Sequence, residues 1–185
     1  MNRRQLIAGI ALFGAALAPV RALAAAAIGG PFRLVDQFGH PVSERDLLGR
    51  PSAIFFGYTL CPEVCPTTLV SFGRWLKKLG PAANRLNVVF VSIDPGRDTP
   101  RQMRDYLTSF DQRIRGFTGS PAEVDRMAKA YRVYYRKVPL PGGSYAMDHS
   151  AAVYLMDAAG RFVEPIGYGE TDDMPMASLR RLMGR

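Results

Sequence analysis

Cysteine and histidine are scarce in this sequence: its 185 residues include only two of each. The two cysteines, Cys61 and Cys65, lie four positions apart. A structural disulfide between them would add little stability, because closing so short a loop removes little entropy from the unfolded chain. A domain of this length also buries enough apolar surface to fold without a covalent link. The cysteines are therefore candidates for chemistry rather than for stabilising the fold.

The sequence also lacks internal repeats, low-complexity tracts and an arginine-rich arm. Its formal net charge of +8 falls to +5 without residues 1–24, which carry three arginines and no acid. A basic excess of this size, without a nucleic-acid-binding motif, is typical of a solvated protein surface. We therefore expect no nucleic-acid partner.

Beyond residue 27 no segment is long and apolar enough to span a bilayer, but the N-terminus has a distinct pattern. The pair Arg3-Arg4 precedes an apolar run at residues 6–20, and a small-residue stretch follows at residues 22–24. This order predicts an export signal peptide over residues 1–24, of the twin-arginine type. A retained membrane anchor is the alternative, although the run is shorter than the ~20 residues that a spanning helix needs.

After the signal, the sequence indicates one domain. We expect residues 25–30 to form a short flexible lead and residues 31–185 to form a single domain, because no linker divides them. Export predicts that this domain is located in the periplasm, either free or associated with the inner membrane.

Short apolar runs in this domain predict strands. Continuous runs at residues 52–58 and 87–93 are typical of buried strands of the parallel type. Residues 151–156 predict a further strand, which pairs with residues 160–166 across a turn, and residues 32–42 predict an N-terminal hairpin.

Helix signals separate these strands. An apolar stripe at helical spacing follows Pro66, capping boxes begin at Thr99 and Ser120, and a last helix begins near Thr171 or Asp172. The order of elements fits the thioredoxin-like α/β fold, with a central mixed sheet flanked by helices and an N-terminal hairpin. Residues 136–143 contain two prolines and two glycines and predict an exposed loop.

Cys61 and Cys65 lie where a predicted buried strand meets the start of a helix. Unpaired N–H groups and a partial positive charge at a helix N-terminus stabilise a thiolate, the form that binds metals and attacks disulfides. A static disulfide, a redox-active dithiol and a metal site are the three interpretations of this turn. A redox dithiol usually has two intervening residues, whereas three intervene here.

A metal site needs a third ligand, which the two histidines would have to supply. His149 precedes the strand at residues 151–156, and in a thioredoxin-like layout the chain entering that strand faces the cysteine turn. His40 lies in a hairpin turn, where we assign it no role; an ordinary loop position is also the alternative for His149. Two thiolates and one imidazole suit copper, as Cu(I) or Cu(II), whereas structural zinc prefers four protein ligands.

Three blocks of this sequence resemble the Sco/SenC family, thioredoxin-like factors that assemble the dinuclear copper site of cytochrome c oxidase. They are GYTLCPEVCP at residues 57–66, SIDPGRDTP at 92–100 and MDHSAAVYLMD at 147–157. The resemblance implies that Cys61, Cys65 and His149 bind one copper ion per chain. It implies delivery of that ion to the copper-receiving subunit of the oxidase.

The resemblance also implies a thiol–disulfide activity, in which the same two cysteines reduce cysteines of the target. Other periplasmic copper chaperones or thiol reductases are further expected partners. The resemblance places Asp94 near the site, where it would support a ligand or contact the partner, and suggests that Asp148 orients His149; turn residues are the alternative for both. Family members are often held by an N-terminal membrane helix, from which the predicted cleavable signal departs.

Two rival functions use the same cysteines. A peroxiredoxin-like peroxidase would share the Cys65-Pro66 turn, but it usually has threonine three residues before the cysteine, where this chain has Pro62. A metal-independent periplasmic thiol–disulfide reductase is the closer rival, because it needs the dithiol and not His149. Whether the protein is an enzyme stays open on the sequence alone.

Overall fold

The computed structural model describes residues 27–184. The predicted signal peptide at residues 1–24 lies outside these residues. Across the described part of the chain, no helix has the length and apolar character needed to cross a membrane.

Strands and helices alternate through most of the described chain. The strands are β1 (Arg33–Asp36), β2 (Pro41–Ser43), β3 (Ser52–Gly57), β4 (Asn87–Ser92), β5 (Ile114–Thr118), β6 (Tyr135–Pro139), β7 (Tyr145–His149), β8 (Val153–Met156) and β9 (Phe162–Ile166). The α-helices are α1 (Val64–Leu79), α2 (Pro100–Leu107), α3 (Pro121–Ala130) and α4 (Asp173–Leu182).

Seven of the strands form one mixed sheet, in the order β2-β1-β5-β4-β3-β8-β9. The central strands β3, β4 and β5 are parallel, whereas β1 and β8 join them antiparallel, each bringing its hairpin partner to an edge. This architecture confirms the predicted thioredoxin-like fold with a central mixed sheet and an N-terminal hairpin.

The core lies on both faces of β3 and β4, in which every residue is buried. Phe55 and Phe90 stack across these two strands with ring centroids 6.1 Å apart. Burial on both faces explains why these strands are continuous apolar runs rather than alternating patterns. The predicted capping boxes at Thr99 and Ser120 are confirmed at the starts of α2 and α3.

Three strands differ from the sequence prediction. Strands β5 and β7 were not predicted, and residues 136–143, predicted to be a loop, contain most of β6. Strands β6 and β7 pair antiparallel with each other and form a separate two-stranded sheet, which we call the arm. Three of the four prolines and glycines that indicated a loop lie in the turn between them, at residues 141–143, and Pro139 ends β6.

The described part of the predicted lead, residues 27–30, contacts the body of the domain. The Gly29 N–H donates to the carbonyl oxygen of Ala130 at 2.9 Å. A Cβ on Gly29 would lie 2.9 Å from the Met156 side chain, and the residue has a φ of +102°. Glycine is therefore required where the lead crosses the end of the sheet.

Candidate metal centre

The two cysteines occupy the turn from β3 into α1. Cys61 lies in the turn, where its N–H donates to the carbonyl of Tyr58 at 3.3 Å, and Cys65 is the second residue of α1. The N-cap residue Glu63 makes no side-chain cap bond. Instead, the Cys65 N–H donates to the Cys61 sulfur at 3.4 Å. The Cys61 sulfur thus satisfies one of the free N–H groups of the helix start.

A buried carboxylate holds the first part of this turn. Asp98 is fully buried and accepts hydrogen bonds from the Thr59 N–H at 3.1 Å, the Thr59 hydroxyl at 2.5 Å and the Ser92 hydroxyl at 2.6 Å. Burial raises the pKa of the Asp98 carboxyl, and the Ser92 and Thr59 bonds oppose that rise. Sequence reasoning gave Asp98 no role, although it belongs to the block at residues 92–100.

The Cys65 sulfur packs directly against the backbone of β3. A Cβ built on Gly57 would lie 2.6 Å from this sulfur and 2.8 Å from the ring of Phe90. No side chain fits in that space, so the last residue of β3 has to be glycine for the sulfur to sit where it does.

His149 approaches the cysteines from the arm, as the last residue of β7. Its Nδ1 lies 2.9 Å from the Ser150 carbonyl oxygen, which can only accept a hydrogen bond, so in the neutral ring Nδ1 carries the proton. The free Nε2 lies 3.6 Å from the Cys65 sulfur. Tyr58 packs edge-on against the imidazole, with ring centroids 5.9 Å apart. The carbonyl and the ring together fix the orientation of the imidazole.

The structure brings Cys61, Cys65 and His149 together. One potential ligand atom from each residue lies within 4.8 Å of the other two. Cys61 and His149 line a cleft of about 280 Å³ between residues 58–64 and 147–151, whereas Cys65 is buried. His40 lies elsewhere, in the turn between β1 and β2, where its ring is 3.3 Å from the carboxylate of Asp36.

The two predicted aspartates lie outside this group. Asp94 is 1% exposed, and its carboxylate accepts hydrogen bonds from Arg97 and from the Tyr145 hydroxyl. Asp148 is exposed on the arm, where its carboxylate lies 3.3 Å from the Arg136 guanidinium. The hydrogen-bond partner of His149 is the Ser150 carbonyl and not Asp148.

The two thiols share one negative charge unequally. The hydrogen bond from the Cys65 thiol is the largest cause that lowers the pKa of Cys61, to about 3. For Cys65, the hydrogen bond to Cys61 and burial both raise the pKa far above its usual range. In the reduced site we therefore expect the first negative charge of the pair on Cys61 rather than on Cys65.

This arrangement supports two kinds of chemistry. Two sulfurs and an imidazole nitrogen are soft ligands of the type that Cu(I) prefers, and binding an ion to both sulfurs would release the Cys65 proton. A half-buried thiol of lowered pKa beside a fully buried thiol is also suited to thiol–disulfide exchange.

The unequal thiols make alkylation selective. In reduced, metal-free protein at about pH 6, we expect iodoacetamide to label Cys61 and not Cys65, because only Cys61 is an accessible thiolate. The Cys61 rate should stay nearly constant from about pH 5 to 8, whereas an ordinary thiol of pKa ~8.5 reacts about tenfold faster per pH unit in that range. Peptide mass spectrometry measures both rates, with urea-unfolded protein as the control. Equal labelling of the two cysteines would contradict the assignment.

The comparisons with known protein families and with curated proteins agree with each other. The SCO1/SenC family model matches residues 20–184. Protein SCO1, mitochondrial, of Saccharomyces cerevisiae is 42% identical over 143 residues, which are 76% of this chain and 48% of that protein. Protein SenC of Rhodobacter capsulatus is 36% identical over 152 residues, which are 82% of this chain and 68% of that protein. This chain spans about half the length of the first curated relatives it matches.

Solved structures show the same fold. The structure of Bradyrhizobium japonicum ScoI with copper bound matches with a TM-score of 0.79 and 49% identity, covering 84% of this chain and 99% of that one. Yeast Sco1 with copper bound matches with a TM-score of 0.78 and 38% identity, covering 84% of this chain and 87% of that one. With the family model matching nearly the whole described chain, this protein belongs to the SCO1/SenC family.

Proposed function

We propose that this protein is a copper chaperone. It binds one copper ion through Cys61, Cys65 and His149 and delivers it to the copper-receiving subunit of cytochrome c oxidase during assembly of that enzyme. The observation that carries the proposal is the convergence of two sulfurs and one imidazole nitrogen within 4.8 Å. Structures of two relatives, ScoI of Bradyrhizobium japonicum and yeast Sco1, are described as having copper bound.

The geometry favours transfer over permanent retention of the ion. Cys61 is half-buried and lines an open cleft, whereas Cys65 is fully buried. A three-ligand site leaves a coordination position free, so a receiving protein can attack the ion before the donor ligands leave. We place the delivery step in the periplasm, in accordance with the predicted signal at residues 1–24, and infer a recipient site of soft ligands.

Titration with Cu(I) tests the proposal directly. The purified protein is reduced under argon, titrated with Cu(I) and examined by X-ray absorption. We expect saturation at one copper per chain, with two Cu–S contributions and one Cu–N contribution. A site that lacks the nitrogen contribution, or is filled by four protein ligands, would refute the proposed ligand set.

Substitution of His149 separates the chaperone from a metal-independent reductase. His149→Ala should lower the Cu(I) affinity by at least about tenfold, because a ligand is lost, while exchange by the Cys61–Cys65 dithiol largely survives. His40→Ala is the matched control, since it removes the other histidine without touching the site, and its affinity should equal that of the wild type. The measurements are competition with a Cu(I) chelator and reduction of a small disulfide.

A reductase activity is the second candidate function, and one observation favours it. The half-buried Cys61 sulfur lies in the cleft beside a second thiol that lowers its pKa, the arrangement needed to attack a target disulfide and then resolve the mixed disulfide. The attack would oxidise Cys61 and Cys65 to a disulfide and reduce the target to two thiols. If His149→Ala supports oxidase assembly in cells as well as the wild type does, reduction and not copper delivery is the function.

A further inference from the structure

The position of His149 depends on how the arm is held. Strands β6 and β7 pair with each other and, among the described residues, with no strand of the seven-stranded sheet. The imidazole at the end of β7 is therefore not fixed by backbone pairing to the strand that leads into the cysteine turn. Contacts between side chains of the arm and the body have to keep it above the sulfurs.

One cluster of contacts joins the start of β7 to the body. The Tyr145 hydroxyl donates to Asp94 Oδ1 at 2.8 Å, and Arg97 Nη1 donates to the Tyr145 carbonyl oxygen at 2.9 Å. The Arg97 guanidinium also lies over the Tyr145 ring, 3.6 Å from its centroid, and Arg97 Nε donates to Asp94. We call these three residues, Asp94, Arg97 and Tyr145, the clasp.

The charged groups of the clasp are largely buried, unlike those of an ion pair on the protein surface. Asp94 is 1% exposed, and the Arg97 side chain is 21% exposed. A buried carboxylate needs its partners, because leaving it uncompensated is costly. Charge-assisted hydrogen bonds and a cation stacked on an aromatic ring are also stronger when water is excluded.

The clasp and the His149 imidazole both pack against the ring of Tyr58. The Arg97 guanidinium lies 5.8 Å from the centroid of this ring, and the His149 ring packs edge-on against it at 5.9 Å. Tyr58 is also the residue whose carbonyl accepts the Cys61 N–H. A shift of the arm at Tyr145 therefore changes the surroundings of the ligand that completes the site.

We propose that the clasp fixes the arm on the body and thereby positions His149 over Cys61 and Cys65, with Arg97 and Tyr145 as positioning residues. This inference rests on the proposed copper site. A second polar contact joins the arm to α3, from the Tyr135 hydroxyl to Asp125 at 3.2 Å, but it involves a partly exposed carboxylate and is more open to solvent. The clasp is better shielded from solvent than this bond.

Tyr145→Phe tests the proposal, because it keeps the ring under Arg97 and removes only the bond to Asp94. We expect the Cu(I) affinity to fall about tenfold, within the 10–100-fold range typical of residues that orient metal ligands. X-ray absorption should show a weakened Cu–N contribution with both Cu–S contributions intact. The reduction potential of the Cys61–Cys65 pair should stay unchanged, since the cysteine turn is not altered.

Tyr134→Phe is the matched control. Tyr134 lies next to β6, and its hydroxyl donates to Asp148 of the arm at 3.5 Å; within residues 27–184 it makes no hydrogen bond to the body. This variant should bind Cu(I) as the wild type does. Arg97→Lys is the second test variant. Lysine keeps a cation beside Asp94, but it has no planar group that stacks on the Tyr145 ring while bonding both Asp94 and the Tyr145 carbonyl. This variant should therefore weaken Cu(I) binding in the same way.

Two results would overturn the proposal. One is a wild-type affinity and Cu–N signal in both Tyr145→Phe and Arg97→Lys. The other is an equal loss in Tyr134→Phe, which would indicate a general sensitivity of the arm. Failure of the proposed function itself looks different, because the wild-type protein would then show no Cu–N contribution at all.

Discussion

Cu(I) at a free concentration about 1,000 times its Kd is expected to raise the melting temperature of the reduced protein by roughly 8–16 °C. A ligand that binds only the folded chain stabilises it by about 4 kcal/mol at that ratio, and each kcal/mol corresponds to about 2–4 °C for a chain of this size. The ion binds the folded chain far better than the unfolded one because its ligands come from two distant segments. Calorimetry under argon measures the shift.

Cys65→Ser should show no such shift. Serine fits the space of the buried thiol but offers a hard oxygen where Cu(I) prefers sulfur. Wild-type protein in which Cys61 and Cys65 are oxidised to a disulfide should also fail to respond, because both sulfurs are then consumed. A full shift in either sample, or none in the reduced wild type, would contradict the metal site.

Gly57→Ala is expected to damage the site and the fold together. The added methyl group would lie 2.6 Å from the Cys65 sulfur and 2.8 Å from the Phe90 ring, so one or both must move. Forcing extra volume into a packed core costs about 1–3 kcal/mol. The displaced sulfur should also lower the Cu(I) affinity beyond what the loss of stability explains. Urea unfolding and chelator competition measure the two effects separately.

Gly73→Ala provides a matched control in the adjacent helix α1. There the nearest heavy atom to an added Cβ is the Asp111 Cβ at 3.7 Å, an ordinary contact. Alanine within a helix is favoured over glycine by about 0.5–1 kcal/mol, so this variant should be as stable as the wild type or more so. If Gly57→Ala bound copper and unfolded as Gly73→Ala does, the packing argument would be wrong.

The sequence predicted the centre of the fold and the candidate ligands because both have local signals. The runs at residues 52–58 and 87–93 are apolar throughout, since both faces of β3 and β4 are covered. Once a structural disulfide is disfavoured, two cysteines at a strand-to-helix junction are candidates for metal binding or for redox chemistry. The third candidate ligand could be predicted from the sequence because the chain has only two histidines.

The missed elements depend on contacts that are distant in sequence. Strand β5 is short and contains Gly116, whose missing side chain makes room for Leu107 and Met103 of α2. Strand β6 is mostly polar and exposed, and it is ordered by pairing with β7 rather than by its own pattern. The contacts of Tyr145 could not be predicted from the sequence either, because its partners Asp94 and Arg97 lie about 50 positions earlier.

The separation of the ligands along the chain also sets when the ion can be taken up. Cys65 and His149 are 84 residues apart. During synthesis both sulfurs emerge well before the imidazole, and an ion captured at that stage would meet sulfur alone. The complete three-ligand pocket exists only when β7 is paired with β6 and lies against the body. Coordination by all three residues would therefore mark a chain that has folded.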